Sequence, residues 1–270
     1  QNKLYYHKLG TPQSSDILVF GGKPEEKNRY VGGYVSNDEN YLIIRGEETT
    51  SGGKLWIKDL RKPNSPLITI LNNYDSDTFV LSIKGDKIYF QTNLNAPNGK
   101  IVVADIKNPT PEHWKDLIPE TQNVLTPVVA GKYILAHYMK DAISQVKQYD
   151  FEGKLIRDIK LPALGTVTLD SAKDEESESY FSFENFYTPS SIYKLHLDKG
   201  DTELYWTPKI DFNPNDFESK QVFYTSKDGT KVPMIITYKK GTPLDGTAPA
   251  CLYGYGGFNV SYTPWFAVTY

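Results

Sequence analysis

Over the first two hundred residues, short apolar runs alternate with turn-forming clusters in one recurring order. That order is strand, turn, strand, polar tip, strand ending near Asp, turn, strand. One copy spans Tyr30 to Ile70, with the segments YVGGYVS, NYLIIRGEE, KLWIKDL and PLITI. A second spans Thr78 to Pro119 (TFVLSIK, KIYFQTNLN, KIVVADI, HWKDLIP), and a third spans Val124 to Pro162 (VLTPVVA, KYILAHYMK, QVKQYDF, LIRDIKLP). A fourth spans Thr166 to Trp206, with TVTLD, SYFSFENF, IYKLHL and TELYW. The third segments begin at Leu55, Ile101, Val146 and Ile192, which are 46, 45 and 46 residues apart. Four short strands per unit at such a period predict β-propeller blades. A β-sandwich with chance spacing would repeat neither the strand order nor the turn positions.

Turn chemistry agrees with the period. Lys84-Gly85-Asp86 and Ala130-Gly131-Lys132 fall between first and second strands, and Glu152-Gly153-Lys154 and Lys199-Gly200-Asp201 between third and fourth. At the front, Lys3 to Leu9 and Asp16 to Phe20 read as a third and a fourth strand, so the chain is expected to open in mid-blade. Residues 1–206 are thus expected to hold four complete blades and a half blade.

The pattern changes after Trp206. Residues 207–216, TPKIDFNPND, read as a linker. Ser219 to Ser226 and Lys231 to Lys239 predict a hairpin, with Asp228-Gly229 as a type I′ turn. Ala250 to Tyr255 predicts one more apolar strand, and Cys251 within it reads as a small core residue. A strand followed by a glycine turn commonly leads into more sheet.

Composition narrows the function classes. The net charge is -3 over 270 residues, without a lysine-arginine run, so neither a nucleic-acid groove nor a membrane patch is indicated. No apolar stretch approaches the ~18 residues of a membrane helix. No basic, then apolar leader is visible at the N-terminus. The single cysteine excludes an internal disulfide and leaves the compartment open between cytoplasm and periplasm. Spacing suggests no cofactor, and no Cys-His pairs are spaced for a metal. Abundant aromatics, 20 Tyr and 12 Phe, fit strands better than helices. The acidic run Asp174 to Glu178 reads as a solvated turn.

The segment Tyr253-Gly254-Tyr255-Gly256-Gly257-Phe258-Asn259 resembles a signature of the prolyl oligopeptidase family, as does the run YTSKDGTKVPMIITYKKG from Tyr224 to Gly241. The resemblance is close over the last fifty residues and architectural over the blades. It implies a seven-bladed propeller followed, here over residues 217–270, by the first strands of an α/β-hydrolase domain. It implies a serine endopeptidase that cleaves short peptides after proline, with the propeller as a size filter. A Ser-His-Asp triad needs a nucleophile on a strand-helix elbow, and no G-x-S-x-G pattern occurs. His7, His113, His137 and His196 all fall in blade segments and read as strand or edge residues. The triad and the remaining blades are therefore expected outside these residues, and the segment alone is expected to be inactive.

By resemblance, Tyr255 donates a hydrogen bond to the oxyanion, and Phe258 forms an aromatic wall of the proline pocket. Gly256, Gly257 and Asn259 shape the turn. Arg45, beside the loop Gly46 to Gly53, contacts substrate by the same resemblance; by itself it reads as a surface arginine. Val31, before Gly32-Gly33, is placed on the same cavity. Partners are short proline-containing peptides and the missing blades and hydrolase domain. Two other readings stand beside this one: a propeller binding module with a short C-terminal extension, and a related oligopeptidase of different specificity.

Overall fold

The computed structural model describes residues 2–62, 64–211, 213–257 and 260–268. Among them, regular structure is strand apart from short 3-10 turns. The chain forms two compact units, 1–122 and 123–270.

In the first unit, β1 (Leu4–Tyr6) pairs antiparallel with β2 (Ile17–Phe20). The next sheet takes β3 (Tyr30–Val35), β4 (Tyr41–Glu47), β5 (Lys54–Asp59) and β6 (Leu67–Leu71) in chain order. Its neighbour takes β7 (Thr78–Lys84), β8 (Lys87–Thr92), β9 (Lys100–Asp105) and β10 (Lys115–Ile118), again in order. The middle strands are apolar on both faces because sheets cover both. Adjacent strand residues point to opposite faces, and Ile43 and Ile44 use this. Ile43 packs with Leu55, Ile57, Ile88, Phe90 and Val102 of the two four-stranded sheets. Ile44 packs with Trp56 and with Phe20 of β2. Each such side chain contributes on the order of 2 kcal/mol through burial.

The second unit repeats the plan. β11 (Val124–Ala130), β12 (Tyr133–Lys140), β13 (Ile143–Tyr149) and β14 (Leu155–Ile159) form one sheet. β15 (Thr166–Leu169), β16 (Glu178–Glu184), β17 (Ser191–His196) and β18 (Thr202–Trp206) form the next. Leu135, Val146 and Ile159 of the first meet Val167, Phe181, Phe183 and Leu195 of the second in one core. The four predicted blades are therefore present, each antiparallel with sequential strand order.

Tight turns set these registers. Gly85 and Gly131 hold the first loop position with φ of 58° and 56°. Between β12 and β13 both loop residues, Asp141 and Ala142, have positive φ (50° and 66°), as a type I′ turn requires.

Three expectations need correction. The hairpin of β19 (Phe217–Thr225) and β20 (Lys231–Lys239) forms, but its turn is not type I′. Thr225 pairs with Lys231, the Gly229 N–H donates to the Ser226 carbonyl, and Gly229 alone takes a positive φ, 87°. That is a type I turn closed by a left-handed glycine. Second, residues 250–255 are not a strand. A strand needs a hydrogen-bonding neighbour, and none pairs with this run among the described residues. Third, Cys251 is therefore exposed rather than buried.

Candidate functional site

Arg45 lies near the end of β4, in the first unit. Its side chain is 13% exposed. Nε donates to Glu47 Oε1, Nη1 to the Thr78 carbonyl at 2.6 Å, and Nη2 to Asp77 Oδ1 at 3.1 Å. The guanidinium also lies 3.8 Å from the centre of the Phe79 ring. The arginine therefore joins its own sheet to the start of the next. The loop after β4 supports this seam. Gly52 N–H donates to the same Asp77 Oδ1 at 2.8 Å, and Gly53 N–H to the Ser76 carbonyl at 3.0 Å. Gly52 has φ of +72°, and a Cβ there would stand 1.9 Å from the Tyr74 carbonyl oxygen, so glycine is required.

Val31 faces the other way. It sits opposite Gly46, whereas Arg45 sits opposite Gly32. Adjacent register positions alternate faces, and Val31 packs against the Phe20, Ile44 and Trp56 cluster. Arg45 and Val31 thus lie on opposite faces of one blade. On Arg45's face is Tyr34, whose hydroxyl donates to the Val80 carbonyl at 3.2 Å. Burial pushes this phenol above its ordinary pKa, although the Arg45 charge opposes the shift.

In the second unit, Tyr255 stands in an irregular stretch and is 56% exposed. Phe258 and Asn259 lie outside the described residues. Gly256 takes φ of +66°, which turns the chain just after Tyr255. The Tyr253 ring lies 4.8 Å from that of Tyr262. The chain then returns to the last blade. The Thr166 hydroxyl donates to the Pro264 carbonyl at 2.6 Å, and the Phe266 N–H donates to Glu184 Oε2 at 3.1 Å. Sequence reasoning missed both blade residues, because their partners lie 98 and 82 positions away.

The histidines are structural or exposed. His7 and His113 lie outside strands, and His196 closes β17 among Glu178 and Glu203. His137 Nε2 bonds Ser144 Oγ at 2.8 Å, and burial lowers its pKa. This is not a nucleophile and base. Ser144 Oγ accepts the Val167 N–H at 3.0 Å, which joins the two blades of the unit.

Successive four-stranded antiparallel sheets, packed face to face and followed by a hairpin, define a β-propeller with a C-terminal extension. The family model described as prolyl oligopeptidase, N-terminal β-propeller domain, matches residues 1–208. The chain belongs to the prolyl oligopeptidase family. It is 47% identical over 268 residues to a prolyl endopeptidase of Elizabethkingia miricola, covering 99% of this chain and 38% of that protein. It is 34% identical over 278 residues to prolyl oligopeptidase A of Amanita bisporigera, covering 98% and 36%. The solved apo structure of prolyl oligopeptidase B from Galerina marginata matches with a TM-score of 0.85 at 30% identity, over 98% of this chain and 39% of that one. The chain thus spans well under half the length of the relatives it matches.

Proposed function

We propose that the protein containing these residues is a serine endopeptidase that hydrolyses short peptides on the carboxyl side of proline. The observation that carries this reading is the extent of the likeness. Similarity to prolyl endopeptidases runs through 99% of the chain, so it includes both the blades and the stretch around Tyr255. In this reading the serine, histidine and aspartate of the triad are supplied by sequence outside these 270 residues.

In this reading the serine Oγ attacks the prolyl carbonyl while histidine takes its proton. The acyl-enzyme is then hydrolysed by water. Tyr255 O–H donates to the oxygen that gains charge as the carbonyl carbon becomes tetrahedral. A donor aimed at that oxygen lowers the barrier without holding the ground state more tightly. Its present exposure leaves the hydroxyl available to substrate. Phe258 offers a flat apolar wall to the proline ring. The blades restrict entry to short peptides. Arg45 stands at the second-to-third-strand end of its blade. In this reading Arg45 contacts substrate, with Asp77 and Glu47 orienting it. Val31 has weaker support, because it packs into the core beside β2.

The test is hydrolysis of a chromogenic proline-containing peptide by the full-length protein. Tyr255→Phe is expected to lower kcat about 10²-fold with little change in KM. An unchanged kcat would remove the oxyanion role. A full-length protein that leaves such peptides intact would remove the endopeptidase reading itself.

A further inference from the structure

We infer that Thr166 and Glu184 form a positioning seat on the last blade, which fixes the backbone after Tyr255 and so holds that tyrosine in its working place. The inference rests on the oxyanion reading of Tyr255. The two residues are directly opposite each other across β15 and β16. One donates and the other accepts, and both bonds go to backbone groups of residues 264–266. Thr166 Oγ1 donates to the Pro264 carbonyl at 2.6 Å, and the Phe266 N–H donates to Glu184 Oε2 at 3.1 Å. Pro264 is buried at this contact. Recognition through backbone groups fixes the path of the chain and is indifferent to its side chains.

A second contact holds the hairpin at the neighbouring blade. Gln221 of β19 donates from Nε2 to the Asp141 carbonyl at 2.6 Å. Asp141 lies in the turn after β12, and Glu184 ends β16. Each is the end of a second strand in its blade. Two adjacent blades thus present the same end to the chain beyond residue 206, one to the hairpin and one to the returning segment. Tyr255 lies between these anchors in sequence, in a stretch without strand pairing. Its position then depends on how firmly the anchors hold. The carboxylate bond is the stronger of the two bonds in the seat, because charge-assisted hydrogen bonds exceed neutral ones.

The experiment uses the full-length protein with Glu184→Ala, Glu184→Gln and Thr166→Val, and has two readouts. Amide hydrogen exchange at Phe266 is expected to quicken about tenfold or more in Glu184→Ala. Exchange in Glu184→Gln should stay closer to the parent, since its amide oxygen still accepts. For proline-peptide hydrolysis, Glu184→Ala is expected to lower kcat severalfold with KM nearly unchanged, and Glu184→Gln to restore most of it. Thr166→Val should move both readouts in the same direction by less. Unchanged exchange in Glu184→Ala would overturn the seat. Faster exchange with unchanged kcat would overturn its positioning role. A parent protein without peptidase activity would remove the functional reading alone, while exchange would still decide whether the seat exists.

Discussion

The blades and the stretch from 250 to 268 are built from similar residues and behave differently. Phe181 and Phe183 in the last blade are each 1% exposed, whereas Tyr253 and Tyr255 are 58% and 56% exposed. Both stretches are rich in residues that favour strands. The blade residues find partners within one repeat, because each strand pairs with the next and each sheet faces its neighbour. Among its described residues the later stretch is tied to the blade through Pro264 and Phe266 and pairs in no ladder. Strand propensity describes a suitable surface, and hydrogen-bonding neighbours determine whether a strand forms. The contrast also separates stability from chemistry, since the tyrosine proposed for the reaction sits outside the packed core.

The largest expected effect tests that contrast directly. Phe181 stacks on Tyr193 with ring centres 5.4 Å apart, inside the core shared by two blades. Phe181→Ala should cost about 3–5 kcal/mol, read from the midpoint of urea unfolding. Leu252, 86% exposed, is the matched control. Leu252→Ala should stay within about 0.5 kcal/mol of the parent. If both changes in this chain cost the same, the contrast fails. A cost confined to the full-length protein would instead show that Leu252 is covered there.

A middle-sized effect concerns the seam between the first two complete blades. Arg45 contributes a planar fork to Glu47, Asp77 and the Thr78 carbonyl. Lysine keeps the charge and loses the fork. Arg45→Lys should therefore lower stability by about 2 kcal/mol in the absence of any peptide. A purely substrate-facing arginine would leave the unfolding midpoint in place and change only KM. The result thus divides the two roles of this residue.

The blades were legible because their signals are local and recur. A period near 45, glycine at Gly85 and Gly131, and alternating apolar runs all agree with one architecture. The hairpin was legible for the same reason, and its turn type was not. Asp228-Gly229 fits a two-residue type I′ loop, but the Thr225–Lys231 register leaves five loop residues, and only Gly229 is left-handed. The Ala250–Tyr255 strand was misread because an apolar run carries no information about whether a partner exists. The seam and the seat were illegible for a different reason. Arg45 and Asp77 are 32 positions apart, and Thr166 and Pro264 are 98 apart. No spacing rule relates them. The motif around Tyr255 could be located by resemblance, while the groups that hold its surroundings needed three dimensions.

The smallest expected effect lies where the hairpin touches a blade. Ala142 has φ of +66°, in the turn whose Asp141 carbonyl accepts from Gln221 of the hairpin. A left-handed conformation costs a residue with a Cβ about 1–2 kcal/mol. Glycine removes that strain but gains freedom in the unfolded chain, which costs about 0.4–1 kcal/mol. The two terms nearly offset, so Ala142→Gly should stabilise the protein by about 0.5 kcal/mol. The type I′ geometry suits glycine at this position, so the Gln221 bond should survive. A small upward shift in the unfolding midpoint is the expected result. A downward shift would mean that the alanine is unstrained, and that this turn does not present the Asp141 carbonyl in the way the contact with the hairpin requires.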